Sequence, residues 1–167
     1  MKKLNKKITS LVLAMVMMLS MGCVGVFAEE YVDSYITEDG TKVAIYDSAI
    51  SVGFPEVEPY IDVEDSIYVR AAGSEFGTFT PVYVADVSGR MFFNLFYFQN
   101  FGGPTYNVSL VRQNGVSPSI TDTVLAVLED RPIGSSFYLS GVTAGQKYYF
   151  RVSTWGVPSN ATYWAHN

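Results

Sequence analysis

The chain has 167 residues, a formal net charge of −5, 49% hydrophobic residues, one cysteine and one histidine. A single cysteine excludes a disulfide scaffold and a multi-cysteine zinc site. The acidic balance excludes a phosphate-binding basic surface, and with it a nucleic-acid partner.

Four lysines in Met1–Lys7 precede an uncharged stretch, Ile8–Phe27, that closes on Val26-Phe27-Ala28 before the acidic Glu29-Glu30. A basic start, an apolar core and small residues at the cleavage positions form a secretory leader. The expectation is a signal peptide over 1–28, removed rather than retained as a membrane span, which takes Cys23 with it. Its lysine-dense start and methionine-rich core resemble a Gram-positive bacterial leader, which implies a secreted protein. Residues 29–167 then carry seven basic residues against sixteen acids, a net charge of −9. The charge is uneven: Glu29–Asp65 holds eleven acids and one base, and the rest is almost neutral. This break predicts an acidic N-terminal hairpin and linker over 29–65 and a main domain over 66–167.

Helical periodicity is weak, and short alternating runs of Tyr, Phe and Val between turn residues read as strands. In chain order they are Tyr31–Thr37, Thr41–Asp47, Ser66–Ala71, Val82–Val87, Met91–Phe98, Tyr106–Arg112, Thr123–Leu128, Ser136–Ser140, Lys147–Thr154 and Ala161–Trp164. Asp39-Gly40 marks a hairpin between the first two. Gly53–Asp65, with two prolines and five acids, reads as an extended linker. Alternation puts Ile67, Val69 and Ala71 opposite Ser66, Tyr68 and Arg70. It puts Tyr148, Phe150 and Val152 opposite Tyr149 and Arg151. Met91–Phe98 is apolar on both faces, with Met91, Phe93, Leu95 and Tyr97 expected on one and Phe92, Phe96 and Phe98 on the other; such a strand sits centrally or forms a binding face. Thr123–Leu128 fits either a strand or a short helix. Many short strands with close turn signals predict an all-β, antiparallel β-sandwich.

From Tyr106-x-Val108-x-Leu110, through Phe137-x-Leu139 and Val142-Thr143-Ala144-Gly145-Gln146-Lys147-Tyr148-Tyr149-Phe150-Arg151-Val152-Ser153, to Tyr163, the chain resembles the bacterial pre-peptidase C-terminal domain. The resemblance covers about 60 residues and rests mainly on the turn and strand around Gly145. It implies a jelly-roll-like sandwich with a binding role, in some members with calcium, and no active site. The family's aspartates before its first matching strand are absent, and so is the catalytic domain its members follow.

No reactive constellation assembles. His166, one residue from the end, is poorly placed for a triad or a metal site, because chain ends are held loosely. Glu75, Asp86 and Asp122 are the acids that a carboxylate-based hydrolase would draw on, but nothing in the spacing pairs them. Asp130-Arg131-Pro132 reads as a turn with a local ion pair or an Asx turn. Asp62, Glu64 and Asp65 are a candidate calcium cluster without the loop pattern of a calcium motif, and a solvated acidic linker is the favoured reading. Tyr149, Trp155, Tyr163 and Trp164, with Arg151 and Asn160, are candidates for an aromatic surface that stacks on sugars. The expected function is a secreted, non-catalytic module that binds an extracellular glycan or a cell-surface component, without an organic cofactor. A structural or inhibitor-like protein with a protein partner, and a small hydrolase, are the alternatives.

Overall fold

Alternating aromatic and β-branched residues make strands that bury one face, and the computed structural model of the chain has twelve of them and no helix among the residues it describes (30–56, 65–71, 78–86, 89–99, 105–154 and 159–166). Strands β1 (Asp33–Ile36), β2 (Lys42–Ile45), β9 (Thr123–Pro132), β8 (Thr105–Arg112) and β11 (Lys147–Thr154) lie side by side in one antiparallel sheet. The two-residue strands β5 (Thr78–Phe79) and β6 (Tyr83–Val84) pair with the far edge of β11. The second sheet runs β3 (Ser51–Gly53), β10 (Ser136–Ser140), β7 (Arg90–Phe98), β12 (Ser159–His166) and β4 (Asp65–Ala71). β4 turns the corner between them: residues 65–69 pair with β12, and Arg70 and Ala71 pair in parallel with β11. A strand that changes sheet in this way closes one side of a sandwich. The opposite side is bounded by the edges of β1 and β3.

The two sheets meet on an aromatic core. Phe93 of β7 packs against Phe150 at 4.7 Å, Phe137 at 5.7 Å and Tyr106 at 6.3 Å, and stacks on Tyr163 at 5.6 Å with the planes 19° apart. Tyr148, Phe150 and Val152 face inward, as do Val108 and Leu110, so the alternation read from the sequence fixes these faces. β9 is a strand throughout, which resolves the helix alternative for Thr123–Leu128.

Three expectations are corrected. On β7, Tyr97 pairs with Thr162 but Leu95 pairs with Tyr163, so Phe96 is an extra residue and the parity of the strand flips there. Phe98 therefore joins the core, and Tyr97 is 52% exposed instead of sharing the face of Phe93. On β9, the Asp130–Arg131 turn is replaced by a bulge inside a continuous strand. Finally, the N-terminal hairpin is no appendage. β2 pairs with β9 and β3 with β10, so residues expected outside the sandwich supply an edge to each sheet, and Tyr31–Asn167 is one compact unit. Most of the expected acidic linker, residues 57–64, lies outside the described residues.

Candidate functional site

The expected aromatic surface is divided among three places. Tyr163 lies between the sheets with no exposed area, stacked on Phe93. Its hydroxyl donates to Asp65 Oδ2 at 3.1 Å and lies 3.3 Å from the Tyr83 hydroxyl. Burial, the shared hydrogen bond with Tyr83 and the Asp65 charge push its pKa far above the usual tyrosine value. Tyr149 and Arg151 point away from the core on the outer side of the first sheet. Even there Tyr149 is covered, by Phe79 at 5.3 Å and by the loop that joins β8 to β9. The Tyr149 hydroxyl sits 3.0 Å from the Ser119 carbonyl and 3.1 Å from Asp122 Oδ2. Burial, then the hydrogen bond to and charge of Asp122, raise its pKa to about 12. Asp122 also accepts the backbone N–H groups of Asn114 and Ser119, both at 2.9 Å, so its carboxylate organises this loop. Trp155 and Glu75 lie outside the described residues, as do Asp62 and Glu64. Asp65 is engaged by Tyr163 and by the Ser66 N–H at 2.8 Å. Among the described residues no three metal-ligating side chains converge.

Asn160 and Trp164 are the candidates that come together. On β12, Ala161, Tyr163 and Ala165 enter the core, so Asn160, Thr162 and Trp164 face outward from the second sheet. Asn160 pairs directly with Tyr68 of β4, and Thr162 with Tyr97 of β7. Directly paired residues share a face, so Tyr68 and Tyr97 flank β12 about 12 Å apart, two strand spacings across and two residues along. Tyr68 is 55% exposed. The half-buried Trp164 packs on Phe96 at 4.4 Å, and the Asn160 amide donates to Gln99 Oε1 at 2.9 Å. The resulting patch, Tyr68, Asn160, Thr162, Tyr97 and Trp164, is aromatic and hydrogen-bonding. Alternation already put Tyr68 on a wet face, so its partner strand was the missing information. Tyr97 was hidden by the bulge.

A second feature was not legible at all. On β9, Arg131 pairs with Tyr106 and Leu128 with Val108, so two residues, Glu129 and Asp130, oppose Asn107 alone. Asp130 adopts φ +54°, and its N–H is held by Asn107 Oδ1 at 2.9 Å. The extra residue flips the parity and turns Arg131 inward, where 1% of it is exposed. Its guanidinium packs over the Phe54 ring at 4.8 Å and near the Phe137 ring at 5.8 Å. Nη1 donates to Asp39 Oδ2 at 3.0 Å and to Thr41 Oγ1 at 3.1 Å. Partial burial opposes ionisation of Asp39. Hydrogen bonds from Thr37 and Thr41 and the Arg131 charge outweigh it and hold the carboxyl below its usual value. Arg131 thereby ties the β1–β2 turn to the sandwich and floors a cleft of about 560 Å³ between the open edges, walled by Tyr35, Ile36 and Phe54 and rimmed by Glu38 and Asp39.

No model of a known protein family matches the chain, and neither the curated proteins nor the solved structures contain a match to it.

Proposed function

We propose that the protein is a secreted, non-catalytic binding module that recognises a neutral extracellular polysaccharide through the outer face of its second sheet. The observation that carries this reading is the pair Tyr68 and Tyr97, each more than half exposed, standing on either side of Asn160 and Thr162. Tyrosine offers an apolar ring face to a sugar ring and a hydroxyl to its polar edge. The side-chain amides of Asn160 and Gln99, already bonded to each other, are fixed in orientation and add donors and acceptors. None of the five named patch residues carries a charge, which supports a neutral ligand over an anionic one. The leader-like N-terminus supports export, and the resemblance to the pre-peptidase C-terminal domain supports a binding role.

The test is calorimetric titration against a panel of soluble neutral polysaccharides, with Tyr68→Ala and Tyr97→Ala beside the wild type. Each substitution removes an exposed ring, so folding stability should change by no more than about 0.5 kcal/mol. Affinity should fall at least about tenfold, the range for loss of an aromatic anchor. Undiminished binding by both variants would refute the assignment of this face.

A further inference from the structure

The cleft at the open side of the sandwich lies on the first sheet and at the seam, away from the patch proposed for glycans, and it points to a different kind of partner. Three observations converge there. The first is a backbone edge that no other described strand pairs. In the β1–β2 turn, Gly40 (φ +82°) donates its N–H to the Thr37 carbonyl at 2.9 Å, and the Thr37 N–H donates to the Thr41 carbonyl at 3.0 Å. This sets the parity of the ladder: Tyr35 and Asp33 direct their backbone groups toward β2, and Ser34 and Ile36 direct theirs outward. The Ser34 N–H is met by the carboxylate of Asp33 at 2.8 Å, as a solvent-facing amide would be. The second is an apolar wall beside that edge: Ile36 is 73% exposed, and Phe54 is 38% exposed above the Arg131 guanidinium. The third is charge. Residues 30–56 carry six acids against the single Lys42, and Asp33, Glu38 and Asp39 border the edge and the cleft.

The edge is also held in place. Arg131 grips the turn through Asp39 and Thr41, and the Tyr35 hydroxyl donates across the seam to the Val52 carbonyl at 3.3 Å. A fixed strand edge costs little ordering when a second strand adds to it.

We infer that β1 and the adjoining cleft form a docking site for an extended polypeptide segment of another protein that carries alternating basic and apolar side chains. The segment adds as a strand along Ser34–Ile36, lays an apolar side chain against Ile36 and Phe54, and sets a cationic one against Glu38 and Asp39. A row of outward N–H and C=O groups pairs with another backbone, which a sugar does not supply. Charge argues against a second copy of this chain, because β1 against β1 would bring two copies of the acid-rich segment 30–56 together.

The test uses the folded chain and two fluorescent peptides of equal length, one alternating lysine and valine and one alternating glutamate and valine. The lysine peptide should bind, with affinity falling as salt is raised, and the glutamate peptide should not. Ser34→Pro removes an outward N–H without touching the ladder to β2, and Glu38→Lys reverses the rim charge; each should weaken binding at least about tenfold. On addition of the lysine peptide to the wild type, the amide signals of Ser34 and Ile36 should shift. Equal binding of both peptides, full binding by a folded Ser34→Pro variant, or shifts confined to the second sheet would overturn the proposal. Concentration-dependent dimerisation through β1 would overturn it in favour of self-pairing. If Ser34→Pro fails to fold, the wild-type amide shifts decide.

Discussion

Arg131 shows how much one side chain depends on context that a single strand does not contain. Read in sequence, Asp130-Arg131-Pro132 is a turn with a local ion pair. In the fold the partner of Arg131 is Asp39, 92 positions away, because a bulge opposite Asn107 sends the guanidinium inward. Bulges are set by pairing between two strands, so neither strand alone announces one. Replacing Asp39 with Asn leaves a buried guanidinium short of its countercharge. The Asp39 side chain is 39% exposed, which lowers the cost below that of a fully buried pair, to about 1–2 kcal/mol by chemical denaturation. Arg131→Ala should cost about 3 kcal/mol, since it also removes the packing on Phe54 and Phe137, and Arg131→Met should cost less because it refills the space. The depressed Asp39 pKa gives stability that is present above the unfolded value of about 3.9 and lost as pH falls through the folded value. The wild type should therefore lose more stability than Asp39→Asn on acidification below about pH 4. Tyr149 works in the other direction. With its pKa raised to about 12, it stabilises the fold below the unfolded value of about 10 and loses that contribution as pH rises through the folded one. Tyr149→Phe should flatten the alkaline unfolding profile between about pH 10 and 12; an unchanged slope would argue against the buried hydroxyl.

Among the elements, long alternating strands were legible and short ones were not. Lys147–Thr154 and Ser136–Ser140 were readable because an aromatic or aliphatic residue falls at every second place. β3 and β5, of three and two residues, hold too few side chains to show a period. β7 was readable up to Leu95, where the bulge reverses inside and outside. Two turn glycines separate the demands of conformation from those of space. Both Gly40 (φ +82°) and Gly141 (φ +92°) sit in the left-handed region, but a Cβ on Gly40 meets open space, whereas one on Gly141 would overlap the Ala49 carbonyl oxygen. Gly40→Ala should cost about 1 kcal/mol, the backbone penalty alone. Gly141→Ala should cost about 3 kcal/mol or more, because the end of β10 must also move away from the segment before β3. Equal melting temperatures for the two variants would contradict that close approach.

At the scale of the whole molecule, composition and alternation were enough for an all-β fold of two sheets, because turn residues and aromatic periodicity act locally. The placement of the boundary failed for a physical reason. Acidic composition records which faces are solvated, and the edge strands of a sandwich are solvated on their open sides while pairing on the other. The proposed surface was legible in part. Asn160 and Trp164 were among the candidates and share its face, but adjacent aromatics such as Tyr163 and Trp164 leave open which parity faces the core, and only the stack of Tyr163 on Phe93 decides it. Tyr149 lies on the face expected of it yet beneath a loop, and loop cover has no signature in strand alternation. The account rests on one surface, and nuclear magnetic resonance titration with soluble neutral polysaccharide fragments tests it most directly. The side-chain amides of Asn160 and Gln99, together with the backbone amides of Tyr68 and Tyr97, should shift in a saturable manner. Saturable binding whose shifts gather instead around Tyr149 and Arg151 on the opposite sheet would contradict it.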